Sequence, residues 1–409
     1  MNFRRIDNSS TWEDKIKKYK IAKRSRPRRH HRHQFNFYRR SPYILQPQDR
    51  PLYIRPSALI FAPITLTKQY YHNSASNFAM TDHFEKARAE KWDFNIIPSL
   101  EGKTAIVTGA YSPDSLGWHI AHQLALKGAK VFIGARSLEK SASGIAAILT
   151  TSPHVLADNL KPLVMDLGNF KQVKHVAEEF VKTEPRLDIL VNNAGFLPGN
   201  LEFDNHGINK SMAVNHLGPF LFTTTLLPLL TKASHDNPDV RIVNVGSTAH
   251  FDAPKTAKYA SLEDWNQTFG SADEPMANYF RYGYSKLANN LFTSELQRRV
   301  LSAPSSIAKS SILVMTVHPG GVATNGAAKF LGGRDNETFR TSFTPFEGAI
   351  SPLYAAAHPE PREKVEKYQG AFLLPWGGLK EPSALARDES LQKELWSTSE
   401  KILEDVLKD

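Results

Sequence analysis

The 409-residue chain has no cysteine, which excludes a disulfide framework and any thiol or thiolate chemistry. It also has no run of about 18 apolar residues, so no membrane-spanning helix is predicted. The longest candidate, Ser57 to Leu66, is short and broken by Pro63. Acidic residues are scarce at one end only. Residues 1–80 hold 4 Asp and Glu against 17 Lys and Arg, a balance of +13, whereas the remainder holds 37 against 34. The net charge of +10 therefore belongs to an N-terminal arm. The near-neutral body argues against nucleic acid as its main partner.

The arm lacks a sustained hydrophobic period and carries a basic cluster from Arg24 to Arg32. That composition predicts a disordered basic arm over residues 1–80, or a true start at Met80. A targeting segment or a tail for an acidic surface are the alternatives. His30, His31 and His33 lie in this basic tract and read as solvated rather than as metal ligands. No metal site is expected elsewhere. The expected location is the cytoplasm, with mitochondrial targeting by the arm as the alternative.

What is abundant from about residue 100 is a repeating pattern of short apolar, β-branched runs. They are Thr104–Thr108, Lys130–Gly134, Pro162–Met165, Asp188–Val191, Arg241–Val245, Ser311–Val317 and Gly370–Leu374, separated by helix-sized intervals. Near-continuous apolar strands with helical crossovers predict a doubly wound α/β domain over residues 81–409, with a mostly seven-stranded parallel sheet. The segment from Pro345 to Ala357 reads as the last major helix before the seventh strand. Ligands of such sheets bind beyond the carboxyl ends of the strands. The candidate chemistry lies there.

Tyr282 and Lys286 are four residues apart and share one helix face. An ammonium beside a phenol stabilises the phenolate, which makes a proton donor or acceptor usable near neutral pH. The first run leads into Thr108-Gly109 and a loop ending in Ser115-Leu116-Gly117 ahead of a helix. Gly109 would give the tight turn, Gly117 the close packing, and Ser115 stands where a middle glycine is usual. Arg136 closes the second run, where an acidic residue would bind a ribose hydroxyl and an arginine would pair with a 2′-phosphate. NADP(H) is the predicted cofactor; Asp114 in the loop is a mild contrary signal. Asp166-Leu167 after the third run would meet the adenine, and Asn193-Ala194-Gly195 after the fourth would allow close approach of backbone to cofactor.

In this order, with Asn215, Ser247 and Pro319-Gly320, these motifs make the chain resemble the classical short-chain dehydrogenases/reductases over about residues 100–400. Arg241–His250, Tyr282–Asn289 and Val317–Val322 look most like the retinol dehydrogenase-like branch and its fungal relatives. The resemblance implies a Rossmann-type fold and an NADP(H)-dependent oxidoreductase interconverting a carbonyl and an alcohol. A lipophilic small molecule is the implied substrate, and dimers or tetramers are usual in the family. It assigns Tyr282 as acid or base and Lys286 as the group that lowers the tyrosine pKa and holds the nicotinamide ribose. Ser247 would orient the substrate oxygen, and Asn215 would hold a relaying water. Pro319, Gly320, Val322 and Thr324 would line the nicotinamide pocket. Residues 249–281, with Trp265, Phe269 and Tyr279, would flank the substrate, and residues 321–345 would form a mobile lid. One ambiguity remains: Tyr279 lies seven residues before Lys286, the spacing of the enoyl reductases. A cofactor-binding scaffold without turnover is a further alternative. His216, His250 and His318 lie beside these motifs and read as packing or supporting residues.

Overall fold

Apolar runs with no polar face can be buried only in a sheet covered on both sides. The computed structural model describes Glu85, Ala87 and residues 92–197, 201–271, 274–302 and 312–408. The expectations for residues 1–80 fall outside these. Eight strands form one sheet: β1 (Thr104–Val107), β2 (Lys130–Ala135), β3 (Leu160–Val164), β4 (Ile189–Asn192), β5 (Val240–Val245), β6 (Ile312–Val317), β7 (Phe372–Leu374) and β8 (Gly378–Lys380). Their order is β3-β2-β1-β4-β5-β6-β7-β8, and all neighbours are parallel except β7 and β8. The seven parallel strands are those expected. The eighth is a three-residue antiparallel return, too short to show a hydrophobic pattern. At the opposite margin, β3 sets Pro162 level with Ile133 of β2. A proline has no N–H for a ladder and is tolerated at such an edge.

Seven main helices cover the sheet: α1 (Leu116–Leu126), α2 (Leu138–Thr151), α3 (Phe170–Thr183), α4 (Gly218–Asp236), α5 (Pro275–Leu301), α6 (Pro345–Ala357) and α7 (Glu389–Val406). Alternate strand residues feed opposite layers. Ile106, Leu190, Ile242 and Val314 pack with α3, α4, α5 and α7. Ala105, Val107, Val191, Val243 and Met315 pack with α1 and α6. The stretch Lys210–Asp236 is long and apolar enough to cross a membrane, but most of it is buried in the first of these layers. The strand order reverses between β1 and β4, which opens a crevice at their carboxyl ends.

Candidate active site

Three polar residues stand level near the carboxyl ends of the central strands: Asn192, Asn244 and Thr316. Asn192 Nδ2 donates to Asn244 Oδ1 (2.9 Å) and to Thr223 Oγ1 of α4 (2.9 Å). Asn244 Nδ2 and Thr316 Oγ1 donate to Thr293 Oγ1 of α5 (2.9 and 2.6 Å). Polar side chains inside apolar strands are costly unless bonded. Here they lock α5 in register against the sheet. The signal was an Asn interrupting the run Arg241–Val245.

That register matters because α5 carries both Tyr282 and Lys286. The turn after β5, a 3-10 segment Thr248–Asp252 capped by Ser247, lies directly against the helix. A Cβ placed on Gly283 would sit 2.6 Å from the carbonyl oxygen of Ala249, so only glycine permits this approach. The contact sets Tyr282 beside the Ser247 turn. Ser247 Oγ accepts from Ala249 N (3.1 Å), which leaves its own hydroxyl proton to donate.

Lys286 is buried, its Nζ donating to the carbonyl of Val245 at the tip of β5 (2.8 Å) and lying 5.5 Å from the centre of the Tyr282 ring. Burial lowers its pKa to about 8. Because the folded value is below the ordinary lysine value, the unfolded chain binds the proton more tightly between about pH 8 and 10.5. The cost of holding the ammonium is therefore complete below pH 8 and fades as pH rises through that window. Lys286→Met is expected to stabilise the protein by roughly 3 kcal/mol at pH 7 and by progressively less toward pH 10. Melting temperatures at pH 7 and pH 9.5 check this, and an equal difference at both would refute it.

Asn215 lies in a widened, π-helical turn, Ala213–Leu217, just before α4. Its Oδ1 accepts from Phe196 N (2.6 Å) and its Nδ2 donates to Phe196 O and Ser285 Oγ (both 3.0 Å). With its amide turned to satisfy both ends, Asn289 donates to the carbonyls of Asn215 (3.1 Å) and Ser285 (2.7 Å). The Asn215 side chain is thus taken up in tying the strap after β4 to α5. Gly195 stands between it and Lys286: a Cβ there would lie 3.7 Å from Asn215 Oδ1 and 3.8 Å from Lys286 Nζ.

The crevice on the other side is a tight backbone cradle. Gly109 has φ of 72°, and a Cβ on Gly117 would lie 2.4 Å from Asn193 Nδ2 and 2.8 Å from Gly109 O. Thr108, named in the sequence only as the residue opening the glycine loop, is central here. Its Oγ1 accepts from the amides of Asn193 and Ala194 (2.9 Å each), and Asn193 Nδ2 donates to its carbonyl (2.7 Å). Ser115 occupies the N-cap of α1, yet its hydroxyl donates to Ser112 O (2.6 Å) and makes no cap bond. The Ser115 side chain therefore caps no first-turn amide of α1, although Trp118 N donates to the Ser115 carbonyl (3.2 Å). Leu116 turns its side chain inward toward α6, where a Cβ on Gly348 would meet it at 2.8 Å. Arg136 is exposed just past β2, with no ion-pair partner among the described residues. Asp166 Oδ1 accepts from Gly168 N (3.0 Å), while the Leu167 side chain is buried in the core.

After β6, Gly320 has φ of 87° and is covered by the ring of Phe343. Pro319 beside it is half-buried, and Val322 pairs with Phe343 in a parallel bridge. Thr324 caps the short helix Asn325–Phe330, accepting from Ala327 N (3.2 Å). Together with Glu337–Thr341, this makes residues 321–345 a helical flap pinned at Phe343, and a Cβ placed on Gly326 would lie 3.4 Å from Leu197 of the strap. The segment assigned to residues 249–281 ends earlier than expected, because α5 already begins at Pro275. Trp265 does not flank a substrate: it is buried in the core against His216, with ring centres 5.5 Å apart. Tyr279 donates to Asp252 Oδ2 (2.8 Å), whose pKa burial raises and that bond opposes.

The short chain dehydrogenase family model matches residues 103–261, from β1 through Ser247 but short of Tyr282. Full-length relatives carry the likeness further. A short-chain dehydrogenase/reductase of Armillaria gallica is 40% identical over 318 residues, covering 76% of this chain and 96% of its own. Retinol dehydrogenase 14 of Mus musculus is 33% identical over 320 residues, covering 74% of this chain and 86% of its own. Among solved structures, a protein assigned as a short chain dehydrogenase of Escherichia coli CFT073, complexed with NADPH, has a TM-score of 0.50 at 23% identity. That match covers 68% of this chain and 98% of the other. A short chain dehydrogenase of Salmonella enterica, 22% identical at the same TM-score, covers 70% of this chain and 99% of its own.

Proposed function

The chain belongs to the short-chain dehydrogenase/reductase family of oxidoreductases, with retinol dehydrogenase-like proteins among its relatives, and from that premise we propose that it interconverts a carbonyl and an alcohol using NADP(H). The observation that carries this reading is the buried Lys286, held by the tip of β5 within reach of the Tyr282 ring. The glycine turn suits a dinucleotide, since Gly109 at positive φ and Gly117 packed on Asn193 and the Gly109 carbonyl bring the loop backbone tightly to the start of α1. Arg136, exposed just past β2, is the residue we assign to a 2′-phosphate, and the NADPH of the bacterial structure is in keeping with that choice.

When bound, the nicotinamide supplies or takes the hydride. In reduction Tyr282 gives its hydroxyl proton to the carbonyl oxygen, and in oxidation it takes the proton of the alcohol. The Lys286 ammonium favours the phenolate form. Ser247 donates its remaining hydrogen bond to the same substrate oxygen and fixes its place. Asn215 keeps the strap and Ser285 in position. Leu197 and the adjoining helix Asn325–Phe330 favour a lipophilic substrate. Chemistry through Tyr279 has less support, because its hydroxyl is already engaged by Asp252.

NADPH consumption against a panel of aliphatic and aromatic aldehydes and ketones tests the reading, and silence across the panel would overturn it. The cofactor assignment has its own test. Arg136→Ala is expected to weaken NADPH binding by about tenfold to a hundredfold, the worth of one charged hydrogen bond, and to leave NADH binding unchanged. Equal losses for both cofactors would remove Arg136 from phosphate recognition.

A further inference from the structure

His250 is fully buried three residues beyond Ser247, and no step above uses it. Its Nδ1 lies 2.7 Å from the carbonyl oxygen of Ser247, and its Nε2 lies 3.2 Å from the backbone amide of Ser383, in the segment after β8. A carbonyl can only accept and an amide N–H can only donate. The pair of contacts therefore fixes one tautomer, with the proton on Nδ1 and Nε2 bare. The ring packs against Phe251 and Phe372 of β7, with centres 4.1 and 4.7 Å away. From the other side, the amide of Thr248 donates to Nδ1 of the buried His318 (3.4 Å). The one peptide unit between Ser247 and Thr248 is thus held at its carbonyl by one imidazole and at its N–H by another, on separate elements.

We propose that His250 is a positioning residue for Ser247, fastening the serine's backbone to the segment after β8 so that its hydroxyl meets the substrate oxygen. This rests on the carbonyl–alcohol reading given above. His250 touches no reacting atom. It acts through the carbonyl of Ser247, and through that bond the C-terminal part of the chain contributes to the geometry of reduction.

The test uses the full chain with NADPH and a lipophilic aldehyde, decanal. His250→Phe keeps the ring packing but removes both hydrogen bonds, and kcat is expected to fall by roughly tenfold to a hundredfold, the usual effect of a misplaced reacting group. NADPH affinity, read by fluorescence titration, stays within about twofold of the parent, since the cradle at Gly109 is untouched. His250→Asn restores only the donor to the Ser247 carbonyl and His250→Gln reaches only the Ser383 side, so neither rebuilds the bridge and neither should recover most of kcat. In a Ser247→Ala background, His250→Phe should have almost no further effect, because the group it positions is gone. Losses that multiply in the double variant, or an Asn variant as active as the parent without the Ser383 contact, overturn the proposal. If the Phe variant fails to fold, the Gln variant takes its place in the cycle. ¹⁵N spectra of the histidines decide independently of turnover: a bare Nδ1 on His250 refutes the fastening. Failure of the parent enzyme to consume NADPH with any carbonyl would instead count against the functional reading.

Discussion

Tyr282→Phe is expected to lower kcat by about 10²–10⁴-fold, the range for removing a positioned acid or base, while NADPH still binds. The phenol ring stays, and so does its place 5.5 Å from Lys286 Nζ. Tyr282 is only half-buried, so losing one oxygen opens no core cavity, and the melting temperature should hardly change. Fluorescence titration of NADPH and single-turnover reduction separate binding from chemistry. Tyr279→Phe is the contrast: it breaks the bond to Asp252 and should cost less than about tenfold, since no proton passes through it. If the two variants exchanged these outcomes, the acid would be Tyr279. Full activity in both would end the assignment of a tyrosine acid.

The second large effect is expected at a residue with no side chain. Gly283→Val would drive a branched Cβ into the carbonyl of Ala249, which leaves 2.6 Å for it. Backbone cannot yield as a flexible side chain does, so α5 must move off the Ser247 turn. A displacement of about 1 Å there is expected to cost on the order of 10²-fold in kcat. Gly283→Ala, with the same first atom but no branches, should fall between the parent and Val. NADPH affinity should survive in both, because Gly109, Gly117 and Thr108 lie on other elements. Steady-state kinetics with parallel cofactor titration tests this; a loss of NADPH binding equal to the loss of kcat would show general unfolding instead.

The main frame was legible because the chemistry of burial is repetitive. Seven apolar runs without a polar face could only be interior strands, and α6 runs from Pro345 to Ala357 as its sequence indicates. Ser247 was legible as a motif at a strand end, and Tyr282 with Lys286 by their four-residue spacing on one helix face. Features made by tertiary contact were not. The widened turn at Asn215 has no propensity signature, since its bonds come from Phe196, Ser285 and Asn289, 19 to 74 residues away in the chain. Thr108 looks like any threonine closing a strand until the amides of Asn193 and Ala194 reach it. Trp265 was misplaced because an aromatic in an inserted segment suits a ligand as well as a core. Its indole donates to Tyr259 O (3.3 Å), which explains how that core accommodates it.

The sheet ends badly on both sides, and this has a consequence for how the protein behaves in a crowded solution. An unpaired strand is a template on which another chain can grow. One border offers Leu160–Val164 interrupted by Pro162, and the other only Gly378, Leu379 and Lys380. Neither gives an incoming strand enough consecutive partners to add on. Replacing Pro162 by valine would lengthen the usable template, and a tendency to fibrillate would then appear first along that border.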